Sequence, residues 1–161
     1  MKRFTESVLV FVIWLLLTWS FTWEDMIAGA VLSVIVSLLV GGFLPVRPGR
    51  LIDPIRWFWM LLYLPYFLWF VVKANVDVAY RVIHPDLPIR PGIVKVRTSL
   101  KSDMARSFLA TSITLTPGTL VVDVVGHDLY VHWINIQGDD PEEHAREIVR
   151  PFEPLLRKIF E

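Results

Sequence analysis

Four histidines, sixteen carboxylates and no cysteine set what chemistry this 161-residue chain could attempt. Without cysteine there is no disulfide, no thiolate nucleophile and no cysteine-held iron–sulfur or zinc site. Of the histidines, His132 comes closest to a carboxylate, because it lies in a β-forming run, Leu129–Ile136, that follows another, Leu120–Val125. In the simplest hairpin register Val125 faces Leu129. His132 then lies opposite Val122, and Asp123 lies opposite Val131 on the other face of the sheet, so the pair is denied; a slip of one residue would exchange the faces. His132 is therefore expected to be a structural or surface residue, and His84, His127 and His144 likewise. No histidine or carboxylate spacing resembles a metal site. A nucleophile would have to be a Ser or Thr, but Ser107 and Ser112 sit in a helical stretch without a neighbouring base. There is no Gly-rich phosphate loop and no paired carboxylate in an apolar setting. Glu142, Glu143 and Glu147 are accounted for as the dipole-favoured first turn of a helix. No catalytic, cofactor-binding or metal-binding residue is assigned, and no cofactor is expected.

The elements around these residues fall into two halves. Met1–Val72 carries nine charged residues, whereas Lys73–Glu161 carries eleven basic and twelve acidic ones. Ser7–Trp23 and Met26–Leu44 are uncharged for 17 and 19 residues, long enough to cross a hydrocarbon core of about 30 Å at ~1.5 Å per residue. Glu24 and Asp25 connect them, with Asp25 placed to cap the second helix. On that helix Gly29, Ser33, Ser37 and Gly41 recur at every fourth position, a small-residue stripe of the kind that lets helix backbones approach in lipid. Trp57–Val72 is a third apolar run, yet eight of the fourteen residues from Trp57 to Phe70 are aromatic and Pro65 interrupts it. Aromatic residues favour the interface, so this segment reads either as a kinked span or as an in-plane or re-entrant element. The positive-inside rule sharpens the choice. Lys2 and Arg3, then Arg47, Arg50 and Arg56, then the basic stretch after Lys73 all ask to be cytoplasmic, which three crossings cannot satisfy. Either the third element does not cross or one basic group lies on the wrong side; the expectation taken is a shallow or strongly tilted third element with a cytoplasmic C-terminal domain.

Ion pathways through membranes use ionisable side chains at depth, and the interiors of the three apolar runs hold none. Glu6, Glu24, Asp25, Arg56 and Lys73 all lie at ends, where interfacial anchoring explains them. Beyond the third run, Ala74–His84 continues a helix with Val76, Tyr80 and Ile83 on one face, and His84–Gly92 is a linker with three prolines. Ile93–Thr98 alternates as a half-buried strand. Ser102 caps a helix with Met104, Phe108 and Leu109 on one face, and Pro117-Gly118 suits the centre of a type II turn. The two runs around Gly126-His127-Asp128 form a hairpin. Asp140-Pro141-Glu142-Glu143 starts a helix with Ala145, Ile148, Val149 and Phe152 on one face. The expected fold is an integral membrane α-helical part of two or three apolar helices (1–72), an amphipathic helix end and Pro-rich linker (73–91), and a small βαββα cytoplasmic α+β domain (92–161).

Two or three apolar segments, a Pro-rich linker, a Gly-Ile-Val-Lys-Val strand, then Ser112-Ile113-Thr114-Leu115-Thr116-Pro117-Gly118-Thr119, a Val-Asp-Val strand and Leu129-Tyr130-Val131-His132-Trp133 together resemble the E subunit of Mrp-type multisubunit Na+/H+ antiporters. The resemblance spans nearly the whole chain, and Ile-Thr-Leu-Thr-Pro-Gly-Thr is its most specific part. Homologous subunits also occur in archaeal membrane-bound hydrogenase and sulfur-reductase complexes with an antiporter module. The resemblance implies a non-catalytic, non-redox subunit in the cell membrane, multi-pass, assembled with large subunits that carry the buried Lys and Glu of the ion path. It gives Thr114, Thr116, Pro117, Gly118 and Thr119 structural or subunit-contact roles.

The leading expectation is an accessory structural and assembly subunit of a cation/proton antiporter, its partners being other subunits and membrane lipids rather than nucleic acid. The equivalent subunit of a redox-coupled complex is one alternative, and an independent membrane-anchored binding or sensing module is another. A membrane enzyme would require a constellation the residues do not supply.

Overall fold

The computed structural model describes residues 2–40 and 53–161, so Gly41, Gly42, Pro45, Arg47 and Arg50 lie outside the described residues. The chain divides into two compact units, Met1–Asp53 and Pro54–Glu161. The division falls at Asp53 rather than at the expected 72, because the third apolar segment packs with the α+β part.

The first unit is a helical hairpin, α1 (Lys2–Thr18) and α2 (Trp23–Val40). Trp19 adopts a left-handed φ of 50° and its amide still reaches Leu15 O, which closes α1. The second helix starts three residues before the place expected from Asp25, and Thr22 takes the capping position. The Asp25 amide donates to Thr22 Oγ1, and the Asp25 carboxylate accepts from Thr22 Oγ1 at 2.8 Å and Ser20 Oγ at 2.5 Å. A Thr at the cap and an acid three residues on is a reciprocal helix start.

The second unit opens with α3 (Pro54–Ile83), a 30-residue helix that continues through Pro65. Then follow β1 (Gly92–Arg97), α4 (Asp103–Leu115), β2 (Thr119–Val125), β3 (Asp128–Trp133), α5 (Pro141–Ile148) and α6 (Glu153–Phe160). The sheet is antiparallel in the order β1-β3-β2. Its inner face carries Val94, Val96, Leu129 and Val131, all buried, together with Leu109, Ile113, Ile148, Phe152 and Leu156 from the helices above it. Alternation in β1 follows from this one-sided burial: Val94 and Val96 point inward, while Ile93, Lys95 and Arg97 are exposed.

Two local expectations need correcting. The β2–β3 hairpin pairs Val125 with Asp128, one residue tighter than the simple register, and a bulge falls between Val121 and Asp123. Asp123 now faces Tyr130, and His132 faces Leu120, so Asp123 and His132 share the outer face. On α4 the buried stripe is Ala105, Leu109, Ser112 and Ile113; Phe108 is exposed, the apolar face being rotated from the one read around Met104. The last helix restarts cleanly at Glu153 after the turn at Pro151.

Aromatic spacing on α3 gives it one face for the domain. Arg56 Nη1 donates to Ile159 O at 2.8 Å, Tyr66 OH to Pro151 O at 3.0 Å, and Tyr63 OH meets Ser112 Oγ at 2.5 Å. Phe67 and Phe70 lie against Phe152, and Lys158 Nζ stands 3.8 Å over the Trp59 ring. These positions recur every three or four residues, which is the helical stripe.

Candidate contact sites

The small-residue positions of α2 lie where α1 comes closest. A Cβ on Gly29 would meet the Trp14 indole, 2.7 Å from Nε1 and closer still to Cδ1; the bare backbone there lets Trp14 Nε1 donate to Asp25 O at 3.0 Å. Ser33 and Ser37 are buried. Ser33 Oγ donates to Ala30 O at 2.9 Å and receives a long 3.4 Å contact from Ser7 Oγ, and Ser37 Oγ donates to Arg3 O at 2.7 Å. Small polar side chains at this seam satisfy themselves on backbone, as hydroxyls in membrane helices do.

The Thr-Pro-Gly-Thr segment is a tight corner joining α4 to β2. Gly118 has φ +90° and Thr119 N reaches Thr116 O at 3.3 Å, the geometry of the type II turn that Pro117-Gly118 favours. Thr116 Oγ1 donates to Ser112 O, Thr119 Oγ1 donates to Ile113 O and Thr116 O, and Thr114 Oγ1 accepts from Val121 N. Three hydroxyls are thus engaged within the corner, and Ile134 N closes it on Gly118 O at 2.9 Å. The corner also forms one wall of an open groove of about 450 Å³ whose other walls include Lys73, Asp77 and Arg81 of α3. Arg81 is tied across that wall to Asp77, at 2.8 and 3.0 Å, and to Pro88 O.

The residues weighed for chemistry go to structural places. Ser112 Oγ donates to Phe108 O and so takes the Tyr63 hydroxyl as its donor. His144 is buried edge-on to Trp133 with Nε2 3.3 Å from Gly138 O, and the His84 ring lies tilted against Tyr80. Asp123 and His132 share a face, but the Asp123 carboxylate turns to its neighbour, accepting from Val124 N at 2.7 Å. Among the described residues no group of three His, Asp or Glu could hold a metal. On the outer face of the sheet Lys95 Nζ bonds Asp128 at 2.8 Å. That hydrogen bond holds the Asp128 carboxyl below the usual carboxylate range and lifts Lys95 above its own.

Sequence reasoning passed over one buried carboxylate, Glu153, and misplaced another, Glu6. Glu153, in a segment with no functional signal, is buried and accepts from Thr98 Oγ1 at 2.5 Å, Ser99 N at 2.7 Å and Ser99 Oγ at 2.9 Å. Glu6, expected to anchor at the interface, is only 3% exposed. Its position one residue before Ser7, on the α1 face that meets the serines, was the available signal.

The family model described as "Na+/H+ ion antiporter subunit" matches residues 7–159. The E subunit of the Alkalihalophilus pseudofirmus Na+/H+ antiporter is 32% identical over 154 residues, covering 95% of this chain and 94% of that one. The E1 subunit of the Staphylococcus epidermidis Na+/H+ antiporter is 30% identical over 161 residues, covering 99% and 98%. Among solved structures, a chain of the membrane-bound sulfane sulfur reductase, an archaeal respiratory membrane complex, is 39% identical with a TM-score of 0.74, covering 99% of this chain and all of that one. The chain belongs to the E-subunit family of Mrp-type Na+/H+ antiporters.

Proposed function

We propose that the chain is an accessory structural and assembly subunit of a multisubunit cation/proton antiporter in the cell membrane, multi-pass through α1 and α2, with α3 lying in the cytoplasmic interface and the α+β domain in the cytoplasm. Among the described residues α3 is the helix whose length and apolarity would best suit a span, yet its two faces support another placement. From Arg56 to Phe70 one stripe rests on the domain, and Val78 comes near the Gly118 corner. That distance, 22 residues at ~1.5 Å each, is about the thickness of the hydrocarbon core, so a domain with a polar exterior occupies the length lipid would have to surround. The opposite face exposes Trp57, Phe58, Leu61, Leu64, Leu68 and Trp69. An apolar face rich in Trp and Phe over a domain-bound face is the signature of an in-plane helix.

With two crossings every basic cluster falls on one side and Glu24 and Asp25 fall on the other, as the positive-inside rule asks. The two-faced α3 is the observation that carries the reading. Its test uses the natural absence of cysteine. Single cysteines at Thr22, Trp57 and Val72 are labelled with an impermeant maleimide from either side of sealed vesicles. Thr22→Cys should label from outside, and Trp57→Cys and Val72→Cys both from the cytoplasmic side. Labelling of the last two from opposite sides means that α3 crosses, and the reading fails.

The higher identity to the sulfane sulfur reductase chain favours, as a second reading, the equivalent position in a redox-coupled respiratory complex. Affinity purification of the tagged chain from its native membrane distinguishes the two. Large antiporter-like subunits alone support the first, and accompanying redox subunits support the second. Recovery of the chain without membrane partners overturns both.

A further inference from the structure

The groove beside the Thr-Pro-Gly-Thr corner is balanced in charge but not fully paired. Four charged side chains line it, Lys73, Asp77 and Arg81 from α3 and Glu147 from α5. Arg81 takes both carboxylate oxygens of Asp77, the favoured order for an acid and a base four residues apart. Lys73, one turn before Asp77, is left over. It is exposed, as is Glu147, and among the described residues neither makes a hydrogen bond or an ion pair, with the other or with anything else. Asn135 adds a half-buried carboxamide that likewise bonds to nothing among them, and a polar group so placed calls for a partner. Much of the remaining lining is apolar, and the volume of about 450 Å³ is that of a small-molecule site. An occupant must therefore carry both signs of charge, because an anion alone leaves Glu147 unmatched and a cation alone leaves Lys73. The helix places the source. Val72 and Val76 belong to the exposed apolar face of α3, while Phe70 faces the domain. At about 100° per residue Lys73 falls on the flank between those faces. With the apolar face on the bilayer, that flank lies where a lysine stem follows apolar surface and its ammonium meets phosphate.

We propose that this groove binds the zwitterionic headgroup of a membrane phospholipid of the phosphoethanolamine class, its phosphate on Lys73 and its primary ammonium on Glu147. A primary ammonium brings N–H donors for the carboxylate, whereas a choline group has none and a glycerol headgroup has no cation at all. The lipid as carrier rests on the in-plane placement of α3; the charge match does not. The test is retention of radiolabelled phosphatidylethanolamine from mixed detergent micelles by the immobilised full chain, with phosphatidylcholine and phosphatidylglycerol in parallel. Phosphatidylethanolamine should bind saturably, at about one per chain, and at least about fivefold more tightly than either other lipid. Lys73→Met and Glu147→Gln, at exposed positions without bonds to lose, should each remove about that factor, with circular dichroism confirming their helix content. No preference among the three lipids overturns the proposal, and so does binding that both variants leave unchanged. Displacement by glycerophosphoethanolamine at equal concentration overturns it too, since the site then takes a soluble zwitterion. Micelles have no bilayer plane, so the two readings fail separately. Opposite-side labelling of Trp57→Cys and Val72→Cys with the preference intact sinks the placement, and same-side labelling without the preference sinks the headgroup site.

Discussion

Replacing Gly29 with alanine puts a methyl group where the Trp14 indole now lies, 2.7 Å from Nε1 and nearer still to Cδ1. A ring fixed at two torsions cannot give way locally, so either the helices separate or Trp14 leaves its rotamer and its bond to Asp25 O. Overpacking of this kind costs about 1–3 kcal/mol, and a lost interhelical hydrogen bond in a membrane adds roughly 0.6 kcal/mol. The expected destabilisation of the hairpin is therefore about 2–3 kcal/mol, roughly 30- to 150-fold in the closed-to-open ratio. The chain's lack of cysteine supplies a clean reporter. Ser7 and Ser33 touch across the seam at 3.4 Å between oxygens, and cysteines at both positions are close enough to bridge. In a glutathione redox buffer the equilibrium fraction of the bridged form reads hairpin closure directly. Gly29→Ala should lower that equilibrium by the factor above in the native background. With Trp14→Leu already present, which removes the ring, the same change should cost less than about 0.5 kcal/mol, the level at which two sites count as independent. Equal losses in both backgrounds would refute the claim that the glycine exists to admit the indole.

Two further outcomes follow from the α+β unit. Glu153→Ala strips the acceptor from Thr98, from Ser99 Oγ and from the Ser99 amide, so urea unfolding of the full chain should show a loss of about 3 kcal/mol, with Glu153→Gln losing about half as much; an effect below ~1 kcal/mol in the alanine variant contradicts the clamp. The Lys95–Asp128 pair sets a pH window. The depressed carboxyl of Asp128 contributes stability above the unfolded carboxylate value of ~3.9 and loses it as pH falls through the folded value, whereas the raised Lys95 contributes below ~10.4 and loses it as pH rises through its own folded value. A carbon-13 titration of the Asp128 carboxyl should move upward in Lys95→Met, and an unmoved titration would deny the partnership.

Much of the second unit was legible because its signals are local. Asp140 with Pro141, Ser102 as a cap and the Pro117-Gly118 turn act through bonds of two or three residues, and each forms where its chemistry demands: Asp140 Oδ1 accepts from Glu142 N, Ser102 Oγ from Ala105 N, and Thr116 O from Thr119 N. What sequence could not fix was relative rotation and register. One residue less in the Gly126-His127 loop, together with a bulge, moved Asp123 and His132 onto a common face, and nothing in either strand's alternation distinguishes the two pairings. The aromatic run of α3 was ambiguous for a related reason. Tyr63, Tyr66, Phe67 and Phe70 are equally at home against lipid headgroups and against Phe152, and only the domain 85 residues onward, through Pro151, decides between them. Glu6 was misjudged because its place in sequence, beside Lys2 and Arg3, suggested the water boundary, while the hairpin turned that face inward.

The long bond from Tyr66 to Pro151 has a consequence for synthesis. A ribosome adding about 5–20 residues per second needs roughly four to seventeen seconds to make the 85 residues separating these partners. Tyr63 can meet Ser112 sooner, but until Pro151 and Phe152 emerge Tyr66, Phe67 and Phe70 lack their domain partners. On the proposed in-plane placement of α3 the bilayer surface is the nearest shelter, so the membrane would serve first as a holding chaperone for the second unit.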